Sequence, residues 1–441
     1  MAWNVVIAGG GFAGASAARE LERLLPRQSA RLLLVNDVNF LLYTPFLPEA
    51  AAGTLEPRHV VTPLRDILKR TNLRLGAVCG HDPERRVVTL QDHEGRREEL
   101  AYDQLLIAVG SVSRSLPVPG LDEHAIGFKS LADAIWLRNH VIETLEQANS
   151  TEDPARREEL LTYVFVGGGY SGLEALAELQ DLAADAMDRY PRARLHGMRW
   201  ILVEAMDRVL PEVPLDLAEY ALRELRGRGI DIRLGTRLDE AGANWALLST
   251  AERIPTRTIV WTAGVAPHPS LGSLALPLDQ RGKVVVDDHM RVEGLRAVWA
   301  IGDCAAVPDP DKDGRGACPP TAQHAVRQGP AVAHNIAAEL GVATRPRRFG
   351  YHARASFVNL GRYKAVGKLG PAAFRGFLAW WMARTYHMSQ IPGLARKIRA
   401  VVDWTVGLPF RRDVAEVGSI GHPRPLRDEV YARGGTHRPV D

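Results

Sequence analysis

Cysteine is nearly absent from this sequence. Three in 441 residues, Cys79, Cys304 and Cys318, stand without CxxC spacing. That excludes a disulfide framework and a structural zinc site, and it suits a reducing setting. No metal is expected. Missing too is any run near the roughly 18 apolar residues that a spanning helix needs, so no transmembrane helix is expected. The N-terminus has no basic region, apolar core or cleavage site, so no signal peptide is expected either. A net charge of +3 and a pI near 8.8 are too mild to argue for nucleic acid as a partner. With 46% apolar and 24% charged residues the chain has a soluble globular composition, and its length suits two or three domains.

Glycine, by contrast, is placed with purpose. VVIAGGGFAG (5–14) and VFVGGGYSGLE (164–174) each run an apolar strand into a glycine-rich turn and a small-residue helix, then a further strand, RLLLV (31–35) or RWILVE (199–204). Two such βαβ units predict an α/β fold with two doubly wound Rossmann-type dinucleotide-binding domains. Gly9, Gly11 and Gly14 fit GxGxxG, as do Gly167, Gly169 and Gly172. The first glycine permits the tight turn, the second admits a pyrophosphate, and the third lets helix pack on strand. Phe12 and Ala13 in the first turn, and Tyr170 and Ser171 in the second, open helices whose N-terminal N–H groups attract phosphate. One such turn also arises for packing alone; two in the same context point to two dinucleotides.

Glu204 ends the strand after the second turn. A carboxylate there binds the adenosine ribose hydroxyls and repels a 2′-phosphate, favouring NADH over NADPH. Asn36, with Asp37 beside it, takes the corresponding place in the first unit. Between the units, LADAIWLRNHVIETLEQA (131–148) reads as a helix and NSTEDPARREE (149–159) as a surface connection. VPDPDKDGRGACPP (307–320) reads as a mobile loop.

RAVWAIGDCA (296–305) ends an apolar strand in Gly302–Asp303. Here the chain resembles the two-dinucleotide flavoprotein oxidoreductases, in which such an Asp binds the ribityl and pyrophosphate part of FAD. YDQLLIAVGS (102–111), with Ala108 and Gly110, and TIVWTAGVAP (258–267), with Ala263 and Gly264, look like that family's two crossover segments. The resemblance assigns the first fingerprint to non-covalent FAD and the second to NADH as substrate. Disulfide reductases and sulfide:quinone oxidoreductases of that superfamily need cysteines that are lacking here.

Further segments resemble the type II NADH:quinone oxidoreductases, which are single-subunit and do not pump protons. NFLLYTPFLPEAAAGTLEPRHVVTPLR (39–65), with Thr44 and Pro45, is similar to their segment beside the flavin. GGGYSGLEALAEL matches their NADH turn, and PPTAQHAVRQG (319–329) looks like their quinone-site helix. The resemblance runs from about residue 4 to 415. It implies that Glu174 lies where nicotinamide and flavin meet, although the helix dipole alone also favours a first-turn Glu. It implies that Thr321, Ala322 and Gln323 reach the flavin, with Gln323 at the quinone, whereas Arg327 stands where the family has a second Gln. Thr321 is an expected N-cap.

From Phe374 to Arg412 there are seven Arg/Lys (375, 384, 396, 397, 399, 411, 412) against one acid, Asp403. Phe374, Phe377, Leu378 and Trp381 fall on one face of a helix, and Leu394, Ile398, Val401 and Val402 on one face of a second. Such helices suit an interfacial membrane anchor or a dimer interface, and both uses together are compatible. His387 lies between them and reads either as structural or as a proton donor.

The expected organisation is an FAD domain over 1–118 and 266–342, an NADH domain over 119–265, a membrane-anchoring region over 343–420 and a flexible tail over 421–441. The expected enzyme passes a hydride from NADH to FAD and two electrons to ubiquinone or menaquinone. It is expected as a homodimer, peripheral on the cytoplasmic face of the cell membrane. Two alternatives remain at this point: a soluble reductase of a small iron–sulfur carrier, and a non-catalytic NADH-sensing flavoprotein.

Overall fold

In the computed structural model, which describes residues 2–312, 316–352, 355–407 and 410–416, the apolar runs before each fingerprint become central strands. Trp3–Ala8 lies within a five-stranded parallel sheet in the order Val298–Ala300, Gln104–Ile107, Trp3–Ala8, Ala30–Asn36, Asn72–Leu75. Thr162–Val166 occupies the same place in a second parallel sheet, between Thr258–Trp261 and Arg199–Val203, with Ala125–Gly127 and Asp231–Arg233 at its edges. Strands covered on both faces need no polar alternation, which is why TYVFV is buried throughout. Trp200 stacks on Tyr163 at 4.2 Å between centroids in that core.

The chain leaves the first sheet, builds the second, and returns. Ser111–Ser113 going out pairs antiparallel with Val265–Pro267 coming back, so the two crossovers form one ribbon. On the returning half, the helix Ala322–Glu339 packs closely on the fingerprint helix Phe12–Leu24. Gly329 permits this approach: a Cβ there would fall 2.6 Å from the Ser16 Cβ and 2.8 Å from the Ala13 carbonyl oxygen. Three antiparallel strands, Ala355–Asn359, Ala365–Leu369 and Ala372–Arg375, then lead to the helices Gly376–Gln390 and Leu394–Gly407.

Three expectations change. The connection 149–159 runs into a helix, Pro154–Leu161, started by an Asp153 cap and Pro154, because its two leucines are buried. The loop 307–320 is tied down where it is described: Val307, Asp309 and Cys318 are buried and Pro308 bridges Ala317. Phe374 belongs to a strand, not to the helix that begins at Gly376, because the chain bends at Gly376 with φ +68°. The tail from 421 lies outside the described residues.

Candidate functional site

Both glycine-rich turns open into one continuous cavity of about 2120 Å³, well above the roughly 300–1,000 Å³ of a site for a single small ligand. The glycines divide their labour as the spacing predicts. An added Cβ at Gly14 would lie 1.9 Å from the Gly9 carbonyl oxygen, and one at Gly172 2.0 Å from that of Gly167. At Gly11 and Gly169 an added Cβ would meet nothing within 4 Å. The outer glycines are therefore consumed by packing and the middle ones leave the backbone bare to the cavity. These two cradles fit the pyrophosphates of two dinucleotides.

Asn36 and Glu204 act alike in their units. Gly10 N–H donates to Asn36 Oδ1 at 2.7 Å. Gly168 N–H donates to Glu204 Oε2, and Met206 N–H donates to Oε1 at 2.8 Å. Each side chain braces its glycine turn while facing the cavity, as Asp37 does. Of the residues singled out from sequence, Phe12, Ala13, Thr44, Pro45, Ala108, Gly110, Gly167, Tyr170, Ser171, Ala263 and Gly264 also line it, as do Gly302, Asp303, Thr321, Ala322, Gln323 and Glu174. Gly9, Gly14, Gly172 and Arg327 do not.

Asp303 receives a hydrogen bond from Ser111 Oγ at 2.6 Å and faces Lys129 Nζ at 3.9 Å. Burial lowers the proton affinity of Lys129, and Asp303 opposes that shift. Lys129 escaped sequence reasoning, since it belongs to no spaced motif, and Ser111 entered it only as the last residue of the crossover segment 102–111. Thr321 caps its helix by accepting from the His324 N–H, which directs the positive helix end into the cavity. Gln323 is held on both sides: its Nε2 donates to the Ala355 carbonyl at 2.9 Å and its Oε1 accepts from Tyr351 O–H at 3.2 Å. The Arg327 guanidinium sits 5.7 Å over that tyrosine ring. Gln328 is buried and accepts from the Gly302 N–H at 2.7 Å, bracing the Asp303 turn.

Glu174 is half-buried and keeps one edge on the cavity. Burial pushes its pKa up to about 8, with Glu49 and Glu178 adding to the rise and the Asn359 N–H, donating at 2.8 Å, opposing it. His387 faces the same end, beside the Tyr43 hydroxyl at 3.2 Å, and burial lowers its pKa to about 4, so its imidazole is neutral near neutral pH. Burial pushes the Cys304 and Cys318 thiols up to about 11, away from the reactive thiolate.

On the outside, Phe377, Leu378 and Trp381 of one C-terminal helix and Leu394, Ile398 and Val402 of the other are exposed, Leu394 by 74%. Arg384 and Arg412 turn inward instead, to Glu49 and Glu178. No helix among the described residues is long and apolar enough to cross a membrane.

A fold of two parallel sheets sharing one two-cradle cavity defines a flavoprotein oxidoreductase with paired dinucleotide sites, and residues 3–329 match the family model described as pyridine nucleotide-disulphide oxidoreductase. The chain is 30% identical over 398 residues to a probable NADH dehydrogenase of Dictyostelium discoideum, covering 87% of this chain and 85% of the relative. It is also 30% identical over 417 residues to a type II NADH:quinone oxidoreductase of Mycobacterium tuberculosis, covering 91% and 87%. The chain belongs to the type II NADH:quinone oxidoreductases within that wider family. The structure of NDH2 from Plasmodium falciparum in complex with NADH has the same fold, with a TM-score of 0.86 at 16% identity over 94% of this chain and 100% of that one.

Proposed function

We infer that this chain oxidises NADH and reduces a membrane quinone, ubiquinone or menaquinone, on a non-covalently held FAD and without pumping protons. One observation carries the reading: the two cradles open into a single cavity, and Glu174 stands on its wall with its helix starting at the second cradle. Bound FAD supplies the chemistry of accepting a hydride and giving up two electrons. The protein's part is placement. The turn Gly9–Gly14, Asn36 and Asp303 hold the flavin nucleotide, while the turn Gly167–Gly172 and Glu204 hold NADH and select against a 2′-phosphate. The N-terminal end of the helix Ala322–Glu339 presents its dipole to negative charge developing in the cavity. Gln323 orients the quinone, its amide held by the Ala355 carbonyl and by Tyr351 with Arg327 over the tyrosine ring, and Glu174 provides a proton.

The finer reading places the enzyme as a homodimer, peripheral on the cytoplasmic face of the cell membrane. The exposed apolar faces of the two C-terminal helices support lipid contact, since large apolar patches on a soluble surface mark interfaces. Anaerobic rapid mixing tests the reading. Flavin absorbance is expected to bleach with NADH and recover with a short-chain quinone. Bleaching with recovery only on adding an iron–sulfur protein would refute it.

A further inference from the structure

At the cavity wall, the half-buried Glu174 and two buried carboxylates, Glu49 and Glu178, surround one asparagine. Glu174 and Glu178 lie one turn apart on the helix Tyr170–Ala186, and Glu49 arrives from the short helix Leu47–Ala51. Asn359 touches all three: its N–H donates to Glu174 at 2.8 Å, and its Nδ2 donates to Glu178 at 2.9 Å and reaches Glu49 at 3.5 Å.

The cations are unevenly shared. Arg412 meets Glu178 at 2.8 Å, and Arg384 meets Glu49 at 3.4 Å. Arg412 also lies 3.9 Å from both Asp181 and Asp185, while Arg384 is stacked between Trp380 and Trp404. Trp404 Nε1 donates to the second oxygen of Glu49 at 2.9 Å. The remaining titratable neighbours, His387 and Tyr170, are both neutral near neutral pH. Among the described residues no cation forms an ion pair with Glu174. A separate cavity of about 20 Å³ is lined by Glu49, Glu174, Asn359, Arg384 and His387, the room one water needs. Asn359 Oδ1 is buried without a protein donor, an acceptor for such a water.

We propose that Glu49 and Glu178 are positioning residues for proton delivery: by neutralising Arg384 and Arg412 they leave Glu174 without a counter-cation, so that it carries the proton the quinone takes up. Burial disfavours a charged carboxylate, and only a nearby cation reverses that preference. Each guanidinium in this cluster is already committed to another acid. The raised proton affinity of Glu174 agrees with this arrangement; burial raises that of Glu178 as well, and Arg412 opposes it.

The proposal rests on reading Glu174 as the quinone's proton donor. In that step the hydride that originates on NADH brings one hydrogen and both electrons. The Glu174 O–H bond breaks as an O–H bond to the quinone forms, and solvent returns one proton to Glu174. The overall balance is NADH, a proton and quinone giving NAD⁺ and quinol.

The test is an infrared titration of the holoenzyme. The carboxylic-acid C=O band that disappears in Glu174→Gln belongs to Glu174. In the unmodified protein it is expected to vanish as pH rises through about 8. In Glu178→Gln, which removes the repulsion from Glu178 and leaves Arg412 only Asp181 and Asp185 at 3.9 Å, the midpoint should fall by about one pH unit or more. In Glu178→Gln with Arg412→Gln, where both charges are gone, it should move back toward the original value, a rescue that a merely structural role would not produce. A midpoint unmoved in Glu178→Gln overturns the proposal. If that variant does not fold, Glu49→Gln is titrated instead; the same downward shift is expected, and an unmoved midpoint there overturns the proposal equally. Full-rate flavin reoxidation by a short-chain quinone in Glu174→Gln would sink the donor reading alone, since the titration tests the charge arrangement separately.

Discussion

Replacing Trp381 and Ile398 together with aspartate should release the protein from membranes without stopping its chemistry. Phe377, Leu378, Trp381, Leu394, Ile398 and Val402 each leave at least half of their surface exposed. Full burial of such a side chain contributes about 1.5–3 kcal/mol, so the exposed share of six contributes about 6 kcal/mol on entering lipid. Arg396, Lys397 and Arg399 on the second helix add about 1 kcal/mol each at an anionic surface. The double substitution removes about 2 kcal/mol of apolar burial and adds about 2 kcal/mol of repulsion between carboxylates and anionic headgroups. A loss of about 4 kcal/mol lowers the partition coefficient at least 100-fold. Cosedimentation with vesicles containing anionic lipid measures it. Activity with a water-soluble quinone, expected to be unchanged, shows that the variant is folded. A double variant that binds vesicles as well as the parent would refute the lipid-facing assignment and leave these faces to contacts between protomers.

The paired glycines separate fold from ligand. Gly172→Ala should lower the melting temperature, since its Cβ would meet the Gly167 carbonyl oxygen at 2.0 Å. Gly169→Ala should melt normally, because its Cβ enters open space, yet raise the KM for NADH at least about tenfold by obstructing the pyrophosphate. Thiol alkylation under native conditions should leave the rate unchanged, because burial raises the Cys304 and Cys318 thiols to about 11; inhibition that a Cys304→Ala, Cys318→Ala variant escapes would contradict this. Glu204→Gln should narrow the preference for NADH over NADPH, read from kcat/KM for the two cofactors, and an unchanged ratio would remove Glu204 from the specificity argument.

The glycine turns were legible because their chemistry is local. A turn that must pass φ beyond +100° at Gly9 and Gly167 needs glycine whatever surrounds it. The C-terminal stripes were legible as faces, but their basic residues were not: Arg384 and Arg412 count as surface charge in the sequence and are buried in ion pairs in the fold. The helix Pro154–Leu161 was hidden by polar residues on its outer side. One signal for the buried acids does lie in the sequence. Glu174 and Glu178, four residues apart in the otherwise apolar LEALAEL, share a helix face that packs inward, Glu178 fully and Glu174 in part.

By itself the sequence determined two βαβ units, their order, the dinucleotide chemistry of their turns and the amphipathic faces near the C-terminus, because strand period, helix period and glycine spacing act over a few residues. Only the tertiary structure decided that both turns share one cavity, that Lys129 faces Asp303 and that Arg327 covers Tyr351 away from the cavity wall. It alone gathered Glu49, Glu174, Glu178 and Asn359 from segments up to 310 residues apart. The proton affinity of a carboxyl group depends on desolvation and on which charges lie within a few ångströms, and neither is written in the order of the residues.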